Sequence, residues 1–175
     1  MRTRAFMRLV QGFSGASTVR GGSHLFLLAA ILIAQGGIAP AEADPGSVRV
    51  TTTPIDFGRI YAEAVFTGIG TVTVTAPAGV NFRVAWGSGF HYSAGSRHLK
   101  RNNGAEMIPY SLYRDAGCTL ATGDADLGDT YPAGSGVAGT GNGRDVLITT
   151  YARLTVPAQA PPGLYVDSIM VSVMY

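Results

Sequence analysis

The feature that most constrains this chain is a two-residue alternation of polar and apolar side chains, which recurs from residue 47 onward. Residues 70–75 place a glycine before alternating Thr and Val, and residues 81–86 and 165–175 repeat the pattern with larger side chains. Successive side chains of a strand point to opposite faces, so this alternation predicts strands with one buried face. After residue 43 no window of helical length has a 3.6-residue period, and the sequence therefore predicts an all-β domain.

Glycine and proline separate the alternating segments. The chain has 24 Gly and 9 Pro, and many of them cluster where an alternating segment ends. Short strands joined by such turns, without intervening helices, are typical of an antiparallel β-sandwich or barrel. Two polar, Gly-rich stretches, 87–104 and 117–143, are predicted as surface loops, and the second is long enough for part of it to pair as a short hairpin. The predicted strands are 47–53, 70–75, 81–86, 107–114, 145–156 and 165–175.

The first 43 residues have the pattern of a secretory signal peptide. A basic segment without acidic residues, 2–20, precedes an apolar run of ten residues, 25–34, and a small-x-small cleavage site follows at 41–43. A second cleavage site of the same kind lies at 39–41. Ten apolar residues are too few to cross about 30 Å of hydrocarbon, so no stable membrane span is expected. The predicted organisation is a signal peptide over 1–43 and a secreted domain over 44–175.

The charge balance of the predicted domain excludes one class of partner. Four of the 13 basic residues but only one of the 11 acidic residues fall within positions 1–43, so the remainder of the chain is nearly neutral. A nucleic-acid-binding domain carries a basic surface that neutralises phosphates, and no such excess remains here. We therefore expect no nucleic-acid partner.

Motifs for nucleophilic catalysis and phosphate binding are weak. Cys118 is the single cysteine, so it cannot form an internal disulfide, and no Lys, Arg or His lies beside it to lower its pKa. Its role as a buried thiol, a surface thiol or an intermolecular link stays open. The GTGNG segment, 139–143, is followed by a strand pattern and not by a helix, which favours a turn over a phosphate loop.

Candidate metal ligands are also too few or wrongly spaced. Asp124, Asp126 and Asp129 approach a calcium-loop spacing but lack its glycine and its terminal glutamate. His91 and His98 lie seven residues apart in a polar stretch without further ligands, which favours a solvated loop with a modest basic cluster. The chain has no G-x-S-x-G motif and no recognisable pair of catalytic carboxylates, and Trp86 is expected in the core or at its rim. The sequence predicts no enzyme, no cofactor and no metal.

An ordered set of short motifs runs along the predicted domain. It begins with an FG turn, continues with a V-x-V-T strand and a Y-x-L-Y-x-D block, and ends with an alternating strand after a Pro-Gly pair. The residues that carry these motifs are Phe57, Gly58, Tyr110, Leu112, Tyr113, Asp115, Gly163, Tyr165 and Asp167. This ordered set, which covers most of residues 47–175, resembles the spore coat protein U domain family, which includes Csu-type fimbrial subunits.

The resemblance implies an incomplete immunoglobulin-like antiparallel β-sandwich that lacks its last strand. Family members pass through the periplasm with a chaperone and an outer-membrane usher, and sibling subunits then supply the missing strand. An exposed sheet edge above an apolar groove is a liability until another chain pairs with it. Because this sequence stops within an alternating apolar strand, we expect Ile169, Val171 and Val173 to line that strand-acceptor groove.

The expected function is therefore a secreted structural subunit of a surface fimbria or coat, which reaches the cell surface or the medium. The alternative from another class is a stand-alone secreted β-sandwich that binds a surface glycan or another ligand through the 87–104 loop. A hydrolase whose catalytic residues form no recognisable sequence motif is the weaker third hypothesis. A complete sandwich would fold alone, whereas an incomplete one needs a partner strand.

The chain departs from the family pattern in three places. The usual cysteine pair is replaced by residues 51–53 and Ala76, and the Trp-Gly-Asp that follows the Y-x-L-Y-x-D block is replaced by residues 120–124. Cleavage after Ala43 would leave only residues 44–46 before the first strand, whereas a donor segment needs about ten extended residues. We therefore expect a subunit that accepts a strand without donating one.

Overall fold

The computed structural model describes residues 2–13, 48–60, 63–123 and 135–175, and within 2–13 it describes the backbone and the Met7 side chain. The described residues form strands, turns and bends without a helix, which confirms the all-β prediction. The strands are β1 (Arg2–Phe13), β2 (Arg49–Thr52), β3 (Ile55–Ile60), β4 (Val65–Thr75), β5 (Asn81–Trp86), β6 (Arg97–Arg101), β7 (Met107–Tyr113), β8 (Val137–Thr140), β9 (Asp145–Thr155) and β10 (Leu164–Met174).

The strands pair in the order β2-β4-β9-β7-β6-β10-β1-β3, and β5 pairs with both β10 and β8. Every pairing is antiparallel except that of β1 with β3. β6 links β7 to β10 in this order: it pairs with β7 over four residues and with β10 over only two. The result is the predicted antiparallel sandwich. One edge of β10 pairs with strands from residues 48–175, and its other edge pairs with β1, which lies far away in the sequence.

The core lies between the inner faces of the strands and follows the alternation of the sequence. In β4, Val72 and Val74 are buried while the threonines that alternate with them are half-buried. Leu112 of β7 and Leu154 of β9 meet the same core. Fully burying side chains of this size stabilises the fold by about 1.5–3 kcal/mol each.

Two glycines of β4 let β3 cross close to the core face. A Cβ added to Gly68 would lie 2.6 Å from Cγ2 of Ile55, and one added to Gly70 would lie 2.5 Å from Cγ1 of the same side chain. Ile55 therefore occupies the space that side chains at these two positions would fill, and it is fully buried. This contact holds β3, one end of the strand order, against β4, which lies near the other end.

The predicted surface loop over 87–104 is wrong in its second half. Residues 97–101 form β6, in which Arg97 and Leu99 are buried. The basic residues of this segment resemble a solvated loop, but pairing with β7 and β10 places alternate side chains in the core.

The second predicted loop, 117–143, contains β8, which pairs with β5. Val137 of β8 lies opposite Val84, 53 residues earlier in the chain, so β8 pairs outside this stretch, and the short hairpin stays a prediction. Residues 124–134 lie outside the described part of the chain, and so do the candidate calcium ligands Asp124, Asp126 and Asp129. The GTGNG segment ends β8 with Gly139 and Thr140 and then forms the predicted turn, in which the amide of Arg144 donates to the side chain of Asn142 at 2.9 Å.

Candidate strand-acceptor site

The site begins with the sequence of β10, whose alternate side chains are buried. One edge of this strand pairs with β6 and β5, and the opposite edge pairs with β1 over eleven residue pairs, from Leu164 to Met174. β1 lies within the segment that the sequence predicts as a signal peptide, of which residue 1 and residues 14–43 are outside the described part of the chain. The buried side chains of β10 that alternate along the strand are Tyr165, Asp167, Ile169, Val171 and Val173.

The three predicted groove residues, Ile169, Val171 and Val173, lie in this paired segment, and all three side chains are fully buried. The backbone register places Met7 of β1 opposite Ile169. The Met7 side chain is also fully buried and belongs to the core. An unbranched thioether adapts to irregular core space, so Met7 fills the position that β10 leaves beside Ile169.

The other edge of β1 pairs with β3 in parallel over four residue pairs. Leu9 lies opposite Ile55 and Phe13 lies opposite Ile60, with a register shift between Val10 and Gly12. β3 stands at the end of the strand order, so β1 is the backbone link between β10 and β3. We call the space between β10 and β3, which β1 occupies, the strand-acceptor groove.

A buried carboxyl on β10 anchors the neighbouring loop. The Tyr110 hydroxyl donates to Oδ2 of Asp167 at 2.6 Å, and the amides of Phe90 and His91 donate to Oδ1 at 3.1 and 3.2 Å. Nδ1 of His91 also lies 3.0 Å from Oδ1. A carboxyl group is costly to bury without partners, and these contacts satisfy both oxygens. The prediction of a solvated-loop role for His91 is therefore wrong, because its ring packs against a core carboxyl.

The loop between β5 and β6 is shaped to reach that carboxyl. Gly89 has a φ of +85°, and a Cβ at this position would collide with Oδ2 of Asp167. Arg97 fastens the start of the same loop: its Nη2 donates to the carbonyls of Trp86 and Gly87, each at 2.8 Å. Residues 87–96 are therefore held by Asp167 and Arg97, which join β10 to β6 beyond their short backbone pairing.

The remaining family-motif residues shape turns and the core. Phe57 is buried, and the amide of Gly58, at a φ of +71°, donates to the side chain of Asp56 at 2.7 Å. The Tyr165 hydroxyl donates to the carbonyl of Pro161 at 2.9 Å, which ties the turn around Gly163 to β10. Burial raises the pKa of Tyr165 above its ordinary value.

The Y-x-L-Y-x-D block divides between core and turn. Leu112 is buried and Tyr113 is half-buried. Asp115 accepts hydrogen bonds from the amide of Leu120 at 2.7 Å and from the amide and hydroxyl of Thr119 at 3.1 and 2.9 Å. The backbone hydrogen bond from Leu120 is the main cause that lowers the pKa of Asp115 below its ordinary value. The block thus supplies one partner for Asp167, one core side chain and one turn.

The other candidate residues do not form a ligand site in the described part of the chain. Cys118 is half-exposed, which rules out the buried-thiol alternative. Trp86 is buried in the core, which is one of the two positions predicted for it, the other being the rim of the core. Among the residues described, no group of three His, Cys, Asp or Glu side chains could hold a metal ion. Within the same residues there is no helix of the length and hydropathy that a bilayer crossing requires.

The sequence pattern reveals neither the occupant of the groove nor the roles of Gly89 and Arg97 beside it. The basic pattern of residues 2–13 is typical of a signal peptide, and this interpretation conceals the strand that the same residues form. Gly89 and Arg97 act on partners that are distant in the sequence or are backbone carbonyls, so no local pattern marks their role. The available sequence signal was Gly89, which lies two residues before His91.

The fold and the groove define a class of protein: an antiparallel β-sandwich in which a segment remote in the sequence completes the open edge of the last strand. Residues 41–172 match the family model of the Spore Coat Protein U domain, so the chain belongs to that family. The comparison with curated proteins found no match. The family match confirms the resemblance carried by the short motifs.

Proposed function

We propose that this chain is a secreted structural subunit of a surface fimbria or coat and is assembled by donor-strand complementation. Its partners are a periplasmic chaperone, an outer-membrane usher and sibling subunits. Membership of a family of structural coat and fimbrial subunits supports the structural role. The observation that carries the proposal is the β10 edge, which is completed over eleven residue pairs by a segment that the sequence predicts to be cleaved off.

Removal of β1 would open the molecule at two places. The edge of β10 would lose its backbone partners, and β3 would lose the strand that links it to β10. Ile169 and Val171 would then border the space that Met7 fills. Burial of one such side chain is worth about 1.5–3 kcal/mol, and each unpaired buried backbone group adds a penalty of about 1–3 kcal/mol. A processed domain of this kind therefore needs a strand from a partner.

The beginning of the domain supports acceptance of a strand without donation. Arg49–Thr52 pairs with β4, and Val48, which precedes it, is buried. These residues are already part of their own sandwich and are not available to extend into a neighbour. This arrangement suits a terminal subunit or a coat protein better than the interior of a long fibre.

The proposal is tested by locating the partner strand. A photo-reactive residue is placed at Ser168, a half-buried position of β10, and the tagged chain is captured from its own periplasm after irradiation. We expect cross-links to one strand of a chaperone-like sandwich protein or to the N-terminal extension of a sibling subunit. Cross-links confined to the chain itself in its processed form, with cooperative unfolding as a monomer, would contradict the proposal and favour the ligand-binding alternative.

A matched pair of variants tests the groove in the same cells. Val171→Asp places a carboxylate at a fully buried position, where an unpaired charge costs several kcal/mol, and it should lower the exported yield and the cross-linked product. Leu147→Asp introduces the same group on β9 at a side chain that is 68% exposed and should change neither quantity. Equal yields and equal cross-linking for both variants would refute the role of Val171.

A further inference from the structure

The strand-acceptor groove is occupied in this structure by the chain's own N-terminal segment. We propose that residues 2–13 act as a donor strand in cis, so that the unprocessed chain completes its own sandwich and opens the groove only when this segment is removed. This inference rests on the proposed function and adds the identity of the first occupant. Cleavage of the N-terminus leaves this segment held by its pairing alone, so its displacement by an incoming strand is the step that converts a closed chain into a strand acceptor.

The first support is the length of the pairing. β1 pairs with β10 without interruption from Arg2 to Gly12, which matches the paired segment of β10 from Leu164 to Met174. The same strand also pairs with β3 on its other side. A segment held on both edges is an integral strand of the sheet, unlike a terminus that rests on the surface.

The second support is the core position of Met7. This side chain is fully buried, lies opposite Ile169 in the register, and belongs to the same core as Ile55. Leu9 lies opposite Ile55 across the parallel pairing. The centre of the segment is therefore placed between the two strands that border the groove, where a donor strand must supply apolar contact.

The third support is the sequence of the segment, RTRAFMRLVQGF. Arginine stands at positions 2, 4 and 8, while the odd positions 5, 7 and 9 are the apolar Ala5, Met7 and Leu9. Phe6 and Val10 interrupt the polar face, so the alternation is partial, but the odd face at the centre of the segment is apolar, as a strand with one buried face requires. The same arginines satisfy the need of a signal peptide for a basic start, so one sequence meets both requirements.

The test uses the full chain with a site-specific protease sequence inserted after Ala43. After cleavage, native mass spectrometry and gel filtration measure whether fragment 1–43 stays bound to the remainder of the chain. We expect a one-to-one complex that survives gel filtration. Release of the fragment from the unaltered chain would overturn the inference.

Two variants of adjacent residues in β1 control for the introduced charge. Met7→Asp puts a carboxylate at a fully buried position and should reduce fragment retention at least tenfold. Arg8→Asp introduces the same side chain opposite the half-buried Ser168 and should leave retention within about threefold of the unaltered chain. Equal retention by both variants would refute the placement of Met7.

A measurement on the uncut, unaltered chain keeps the inference testable even if the Met7 variant does not fold. Alternate backbone amides of β10 should exchange with solvent at least tenfold more slowly than those of an unpaired edge, because they are paired with β1. Exchange as fast as an open edge would overturn the inference.

If fragment 1–43 is released while the processed chain still cross-links to a partner strand through Ser168, only the cis-donor inference fails and the proposed function stands.

Discussion

The hydrogen bond between Tyr110 and Asp167 gives the sharpest test of how the last strand is held. Tyr110→Phe removes the hydroxyl that donates to Oδ2 of Asp167 at 2.6 Å and leaves the aromatic ring in place. Both residues are buried, with exposed fractions of 3% and 1%. Water therefore cannot replace the lost donor, and the free energy of unfolding should fall by about 2 kcal/mol.

The assay is equilibrium urea unfolding of the full chain, followed by far-ultraviolet circular dichroism. For a denaturant slope of about 2 kcal/mol per molar, the midpoint should fall by about 1 M urea with the slope unchanged. Tyr113→Phe is the matched control, because it removes the same group from a half-buried side chain of the same motif. A change for Tyr110→Phe within about 0.5 kcal/mol of the control would refute the argument that Asp167 depends on this donor.

Three further predictions follow from contacts away from this bond. Gly70→Ala should lower the free energy of unfolding by about 1–3 kcal/mol in the same urea assay, because the new methyl group collides with Ile55; an unchanged midpoint would contradict the close packing of β3. Arg97→Met should lower the melting temperature by about 5–15 °C in calorimetry, since it leaves buried carbonyls without their donor; a shift under about 2 °C would contradict the clamp. Because the pKa of Asp115 is lowered, its contribution to stability is present above the ordinary pKa of a carboxyl and is lost as the pH falls through the depressed value. The NMR signal of the Leu120 amide, which donates to this carboxylate, should therefore shift only at low pH. A shift centred above about pH 4.5 would show that the hydrogen bond does not favour the carboxylate.

The strands that sequence analysis predicted best are those with local alternation and clear turn residues at their ends. β5 was predicted over 81–86 and observed over the same residues, and β7 and β9 each differ from their predicted bounds by one residue at one end. Alternation and turn chemistry act over a few residues, so a single sequence contains them. The family motifs then supplied the sandwich architecture, which the alternation alone left open between sandwich and barrel.

The rest depends on partners that are distant in the sequence. β6 was missed because a buried arginine at its start looks polar, and only the carbonyls of Trp86 and Gly87 make Arg97 a core residue. Tyr110 and Asp167 were both singled out, but their hydrogen bond spans 57 residues and no local pattern joins them. The occupant of the groove was hidden for a different reason, since the basic start of the chain already had an adequate explanation as a targeting segment.

The two unlike edges beside β1 have a consequence for the direction of any strand that enters the groove. A strand that runs as β1 does meets antiparallel hydrogen bonding along β10 and parallel bonding along β3. A reversed strand would exchange the two patterns, so the eleven pairs with β10 would become parallel, which is slightly less stable per residue, while only the four pairs with β3 would become antiparallel. The groove therefore distinguishes the polarity of a peptide as well as its side chains, and a retro-sequence peptide with the same composition should bind more weakly than the forward one.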